Sequence, residues 1–253
     1  MTEKTGEQGS VLQREAKMMK LEALIADREH YQVPELTLDE TEVLQRYERL
    51  YTGAVSDVLR EFCLMYQALP SDIVPLRPEK TVAGYAFTVK SAPNTMVSGE
   101  LTFRTKMLEQ IEPGSFVVWD TSEDAESTAW GGVMTATAVS RGVKGVVIDG
   151  GMRDTHQVLK EDFPVFYKYR SPNGSLGRCL ISHYQCLIRI GNTDIRPGDI
   201  ILGDIDGVVV VPRNIAVKVL LRAEEILKNE KEIFEWVANG DSLDEITDRG
   251  GYF

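Results

Sequence analysis

Residues 116–156 read FVVWDTSEDAESTAWGGVMTATAVSRGVKGVVIDGGMRDTH, and two kinds of periodicity alternate within them. The apolar runs SFVVWD and KGVVIDGG are short and end at Asp and Gly, the mark of buried strands. Between them VMTATAVSRG supplies Ala, Met and Arg as helix formers and places Gly142 where a C-terminal cap belongs. A strand, a helix and a second strand therefore follow one another, the repeating unit of an α/β sheet.

The same texture continues outward. TVAGYAFTVKSA from Thr81, CLIRIGN from Cys186 and DIILGDIDGVVVVP from Asp199 read as further strands, each bounded by Gly, Pro, Asn or Asp. From Ile215 to about Asn239, the spacing of Val219, Leu220, Ala223, Ile226, Leu227, Ile233, Phe234 and Val237 predicts a long amphipathic helix closed by Gly240. Upstream, a helix capped by Thr37 or Asp39 carries Leu44, Tyr47, Leu50 and Tyr51, and another is expected from Ser56 to about Tyr66. Residues 1–10 are polar and read as disordered, and Val11, Leu12, Met18, Met19, Leu21, Leu24 and Ile25 then suggest a helix with one apolar side, suited to packing on the body or a subunit. The expected organisation is an N-terminal arm over residues 1–35, a single α/β domain over 36–240 and a polar tail over 241–253, without internal repeats.

Charge narrows the partners. Lys and Arg total 28 against 39 Asp and Glu, a formal net charge of −11, which repels phosphate backbones and anionic headgroups and argues against nucleic acid and membrane partners. Three cysteines without C-x-x-C spacing give neither a disulfide framework nor a zinc site and fit a reducing cytoplasm. The charged N-terminus lacks an apolar h-region and nowhere do 18 apolar residues run together, so a soluble, unprocessed protein is expected.

Two features in the opening stretch carry chemistry. Gly131 and Gly132 fall between a strand and a helix, where unpaired amides hold anions and glycine lets a ligand approach the backbone. One helix later, the next strand runs into Gly150-Gly151-Met152-Arg153-Asp154. There a guanidinium that grips carboxylates and oxyanions stands beside a hard oxygen ligand for Mg²⁺ or Mn²⁺. Taken alone, an adjacent Arg-Asp pair equally describes a surface salt bridge or helix cap, and paired glycines an ordinary turn.

The string GGVMTATAVSRGVKGVVIDGGMRD, with VAGYAFTVKSAPN, FPVF and IRPGDIILGDIDGVVVVP, resembles the RraA-like family over roughly residues 45–240. That family includes class II 4-hydroxy-4-methyl-2-oxoglutarate aldolases, which also decarboxylate oxaloacetate, and proteins that bind and inhibit a ribonuclease. The resemblance implies an α/β/β/α swivelling sandwich and a homotrimer or homohexamer with each site at a subunit boundary. It further implies that Arg153 binds the 2-oxo acid and stabilises the enolate oxygen, that Asp154 holds the divalent metal, and that backbone amides around Gly131, Gly132, Val133 and Met134 grip the pyruvate carboxylate.

Glu230 on the C-terminal helix matches the place of a second metal carboxylate, supplied by the neighbouring subunit; an exposed helical acid is the alternative reading. Where the aldolases commonly carry Asp or Glu, this chain has Gly132; Asp124 and Glu126 are candidates to replace that acid, or solvated loop acids. Asp204 and Asp206 suit a turn before a strand better than a ligand pair. His156 reads as a surface residue at a helix start, and His30 and His183 have no partner pattern. Because Lys90 and Lys144 lie away from the Arg-Asp cluster, the metal is preferred over a Lys Schiff base as electron sink. The competing expectation is a non-catalytic regulator of an RNA-processing enzyme.

Overall fold

The computed structural model describes residue 14 and residues 16–250, in two compact units, Met1–Val33 and Pro34–Phe253. In the first, α1 spans Glu22–Glu29 and buries none of its residues. Met18, Met19 and Leu24 of the expected apolar side are exposed, while Val11 and Leu12 lie outside the described residues.

The second unit opens with α2 (Glu40–Tyr47) and α3 (Thr52–Glu61). Of the two candidate caps, Asp39 is used: its carboxylate accepts the Glu42 amide at 3.0 Å. Helix α3 begins before the expected Ser56, because the Asp204 carboxylate accepts the Thr52 amide at 2.7 Å and the Thr52 hydroxyl at 2.8 Å. A cap supplied from so far along the chain leaves no local signal. The helix also stops short of Tyr66, since Cys63 turns left-handed (φ 61°) and the Leu64 amide reaches back to the Leu59 carbonyl.

Along the rest of the unit come β1 (Val74–Pro75), β2 (Val82–Pro93), α4 (Glu100–Glu109), β3 (Ser115–Asp120), β4 (Thr128–Trp130), α5 (Gly132–Ser140), β5 (Gly145–Met152) and α6 (Thr155–Lys160). Then follow β6 (Val165–Arg170), β7 (Cys179–Tyr184), β8 (Ile188–Ile190), β9 (Thr193–Ile195), β10 (Ile200–Asp204), β11 (Gly207–Val211), α7 (Ala216–Ala238) and α8 (Leu243–Asp248). The expected 186–192 strand shortens to β8, because Gly191 (φ 57°) turns the chain into a hairpin with β9. The tail is not plain coil: Ser242 and Glu245 form a capping box for α8, and Ile246 is buried.

One sheet runs in the order β1-β6-β5-β3-β2-β10-β11, with β4 beside β5 and β7 beside β2. Strands β2, β3, β5 and β6 are parallel, whereas β10 and β11 join antiparallel. Strict alternation sorts their side chains into three cores. Val82, Ala86, Phe116, Val118, Val147, Phe166, Ile201, Val208 and Val210 share an inner core. The intervening residues of β10 and β11 face outward onto α2, α3 and α7, and those of β3, β5 and β6 onto α4, α5 and α6. Strand β2 serves both outer layers, with Ala83 in one and Phe87 and Val89 in the other. Three apolar interfaces separate four layers, so the fold is the expected α/β sandwich in α/β/β/α order. The two halves of the sheet meet at Gly203, where an added Cβ would lie 2.5 Å from the Phe166 ring.

Residues 67–76 nearly close the sheet on itself. The Leu69 amide bonds to Val208 on β11, and the Leu76 amide to Val165 on β6. No helix among the described residues is long and apolar enough to cross a membrane.

Candidate active site

Strands β4 and β5 are parallel, with Trp130 opposite Met152, so the chain beyond each leaves the sheet at the same point. Beyond β4 lie Gly131 and the start of α5; beyond β5 lie Arg153 and Asp154. The Arg153 amide bonds to the Trp130 carbonyl at 3.0 Å, tying the two exits together. Asp154 then adopts a left-handed backbone (φ 55°), a conformation Asp tolerates better than most residues. Its carboxylate turns back to accept the Gly132 amide at 3.1 Å. The amides of Val133 and Met134, next along the first turn of α5, have no acceptor within the helix.

Gly131 is required by proximity, not by backbone angle. A Cβ there would sit 2.7 Å from Asp154 Oδ2 and 3.3 Å from Arg153 Cγ. At Gly132 a Cβ would meet Gln157 Cγ at 3.0 Å, so Gln157 occupies the space beside the position where an acid was expected. The Arg153 and Asp154 side chains are each about half exposed (48% and 47%), and Nε stands 3.7 Å from Oδ2. That contact is long and solvated, so both groups keep bonding capacity for a ligand.

They open on a cavity of about 800 Å³. Its walls are α4, the end of β4, the first turns of α5 and residues 174–178, and Leu101, Leu108, Val133, Met134 and Leu176 make it largely apolar. Gly131, Val133, Met134, Arg153 and Asp154 all line it, so five of the anticipated residues converge; Gly132 does not reach the wall, its amide being held by Asp154.

Glu230 lies elsewhere within one chain. It sits on α7, in the opposite helical layer, and accepts the Tyr51 hydroxyl. Asp124 and Glu126 do not line the cavity. Burial would raise the Asp124 carboxyl, but hydrogen bonds from the Ser127 hydroxyl and from the Glu126 and Ser127 amides hold it below its ordinary value. Asp204 caps α3 and accepts the Asp206 amide, the turn role anticipated for it. His156 is exposed beside a shallower depression with Arg170 and Ser171. Lys90 pairs with Asp120 and Lys144 with Glu48, both away from the cavity.

Sequence reading missed the cavity's buried support. Glu100 and Arg104 pair across one turn of α4 (2.6 Å) with side chains only 4% and 16% exposed. Arg104 also donates to the Ala129 carbonyl and the Ser175 hydroxyl, and its guanidinium lies 5.6 Å over the Trp119 ring. The i, i+4 spacing of Glu100 and Arg104 was legible, but nothing local revealed that α4 is a wall.

Could this site take a metal? Among the described residues, no three His, Cys, Asp or Glu side chains gather to hold one within a single chain. Asp154 offers one half-exposed carboxylate at the cavity wall, with Oδ1 given no protein partner among the described residues. This donor set suits a hydrated hard cation that completes its shell with water and substrate oxygens, as Mg²⁺ does.

The family model for RraA-like proteins, described as Aldolase/RraA, matches residues 52–210. The chain belongs to the RraA-like family. A Halalkalibacterium halodurans relative with the provisional name 4-hydroxy-4-methyl-2-oxoglutarate aldolase is 30% identical over 186 residues, covering 74% of this chain and 84% of its own. Protein DlpA of Legionella pneumophila is 27% identical over 203 residues, and the chain spans only about a third of its length. Among solved structures, one described as belonging to novel cellulases from gut-associated microbes is 61% identical, with a TM-score of 0.82 over 87% of this chain and 99% of its own. Streptomyces coelicolor RraAS2, described as an unusual member of the RNase ES inhibitor RraA family, shares the fold at a TM-score of 0.69 and 24% identity, over 80% of this chain and 98% of its own. RraA-like proteins thus include both aldolase-named and inhibitor-named members.

Proposed function

We propose that this RraA-like protein is a divalent-metal-dependent lyase that cleaves 4-hydroxy-2-oxo acids of the 4-hydroxy-4-methyl-2-oxoglutarate type and decarboxylates oxaloacetate, both through the enolate of pyruvate. The observation that carries this reading is the convergence of Arg153, Asp154 and the open amides of Val133 and Met134 on one cavity. The pyruvyl carboxylate binds at the start of α5, where unpaired amides and the helix dipole favour an anion. Arg153, whose guanidinium has no protein hydrogen bond among the described residues, faces the keto oxygen and stabilises its growing negative charge. Asp154 would hold Mg²⁺ or Mn²⁺, with Glu230 of a neighbouring copy as a second carboxylate in a homotrimer or homohexamer. When bound, the ion supplies an electron sink beside the keto group.

In the aldol cleavage, the C3–C4 electron pair moves into the C2–C3 enolate. The C4 hydroxyl gives its proton to water and becomes a carbonyl, and C3 then takes a proton to yield pyruvate. Oxaloacetate loses CO₂ to the same enolate, which Arg153 holds in the same way.

Purified protein incubated with Mg²⁺ or Mn²⁺ and oxaloacetate is expected to release pyruvate faster than the metal alone, and EDTA is expected to stop it. Absence of turnover with every 2-oxo acid offered would instead favour the regulatory reading. One observation supports that alternative: among the described residues no three metal-ligating side chains gather within the chain, and Gly132 stands where the aldolases commonly carry an acid.

A further inference from the structure

The chain as a whole is strongly acidic, yet its cavity is not. Arg104, Arg141, Arg153 and Arg178 line it against Glu100, Glu109 and Asp154. Arg104 is consumed by Glu100, and Arg141 donates to the Ile111 and Glu109 carbonyls. Arg153 and Arg178 keep free donors.

These two arginines both approach Gly174. Arg178 Nη1 donates to the Gly174 carbonyl at 2.8 Å. A Cβ on Gly174 would lie 2.8 Å from Arg153 Nη1, so the guanidinium lies close against this glycine. Among the described residues no carboxylate is bonded to Arg178, and Arg153 has only the 3.7 Å approach of Asp154. Two neighbouring, poorly neutralised guanidinium groups repel each other unless anionic groups lie between or beside them.

The loop that carries Arg178 is held firmly. Arg178 and Cys179 both donate their amides to the Ser175 carbonyl, and the Ser175 hydroxyl is fixed from below by Arg104. The Thr128 amide and hydroxyl bond to the Asn173 carbonyl, joining this loop to β4. Buried polar support of this kind orients an otherwise exposed side chain toward a ligand.

We infer that Arg178 is the specificity-determining residue for the second carboxylate of the substrate: Arg153 serves the pyruvyl end and Arg178 the far end of a dicarboxylic 2-oxo acid. This rests on the proposed function, because it assumes that the pyruvyl end lies at Arg153. Bidentate guanidinium–carboxylate pairing gives the geometric selectivity that a point charge lacks.

The test is calorimetric titration of the full chain in Mg²⁺ buffer with 2-oxoglutarate and with 2-oxobutyrate, which differ in the far carboxylate. Wild type is expected to bind 2-oxoglutarate at least roughly tenfold more tightly, the scale of one hydrogen-bonded ion pair in a partly enclosed site. Arg178→Gln should remove most of that preference while moving the 2-oxobutyrate affinity by less than about threefold, and Arg178→Lys should restore part of it. An Arg178→Gln protein with the full preference overturns the assignment, as does a wild type that binds both acids equally; in those cases the pyruvyl site stands. If wild type binds neither acid, the pyruvyl site fails too.

Discussion

Two constellations of Arg and Asp stand on opposite helical layers of the sandwich, and they are built by opposite rules. Arg213 is almost fully buried (5% side-chain exposure). Its guanidinium donates to the Pro34 carbonyl at 2.5 Å, the Gly198 carbonyl at 3.3 Å and the Glu40 carboxylate, and it lies 4.8 Å over the Tyr85 ring. Asp199 accepts the amides of Arg196 and Arg213. Every strong donor there is satisfied from within the chain. Arg153 and Asp154 are half exposed and joined at 3.7 Å, with Asp154 on a left-handed backbone beside open amides. A saturated pair has nothing left to offer a ligand and acts as a clamp, whereas an unsaturated, converging pair is a site.

The sharpest test of that contrast is to remove each arginine and read both activity and stability. Arg153→Ala is expected to lower oxaloacetate turnover by about 10² to 10³, the range for losing an oxyanion partner, with a melting temperature near that of wild type. Near-normal turnover would refute its role. Arg213→Ala should do the reverse: a loss of about 2–3 kcal/mol in denaturant unfolding, from stranded carbonyls and carboxylates, with activity per folded molecule retained. If unfolding is unchanged, the clamp reading is wrong.

A smaller effect is expected from Gly131→Ala. Its backbone angle (φ −163°) permits alanine, but the methyl would displace Asp154 Oδ2 and Arg153. Turnover should drop by roughly tenfold or more for a displacement of this size while circular dichroism is unchanged. An unaltered rate would mean that the close approach is incidental.

The least of these effects separates the pairs by pH. Burial pushes the Asp199 carboxyl from 3.8 up to about 6, only partly opposed by the hydrogen bonds from Arg196 and Arg213. For an acid raised by folding, the folded state holds the extra proton, so stability declines as pH climbs from about 4 to about 6 and then levels. Asp199→Asn is expected to flatten that decline in unfolding curves taken across this window, whatever it does to absolute stability. A slope identical to wild type would show that Asp199 does not carry it.

Much of this molecule is written locally. The long helix was legible because Val219, Leu220, Ala223 and Ile226 repeat on one face and Gly240 follows, and α7 spans Ala216–Ala238 with Gly240 at φ 85°. Strands β2, β3, β5, β10 and β11 were legible because apolar residues fill both faces of each. Gly131, Val133, Met134, Arg153 and Asp154 were legible as a group only through the resemblance, since a lone Arg-Asp pair also describes surface chemistry.

Tertiary structure decided the rest, because the remaining contacts join residues far apart in the chain. Thr52 begins a helix only when Asp204 folds over it, and Glu230 falls outside the cavity because α7 packs on the opposite layer. Glu100, Arg104, Gly174 and Arg178 belong to the cavity because α4 and the loop after β6 are brought against β4 and α5. Hydrophobic periodicity is a property of neighbouring residues and survives in the sequence; saturation of a charged group depends on which distant carbonyls and carboxylates arrive beside it, and only the folded chain settles that.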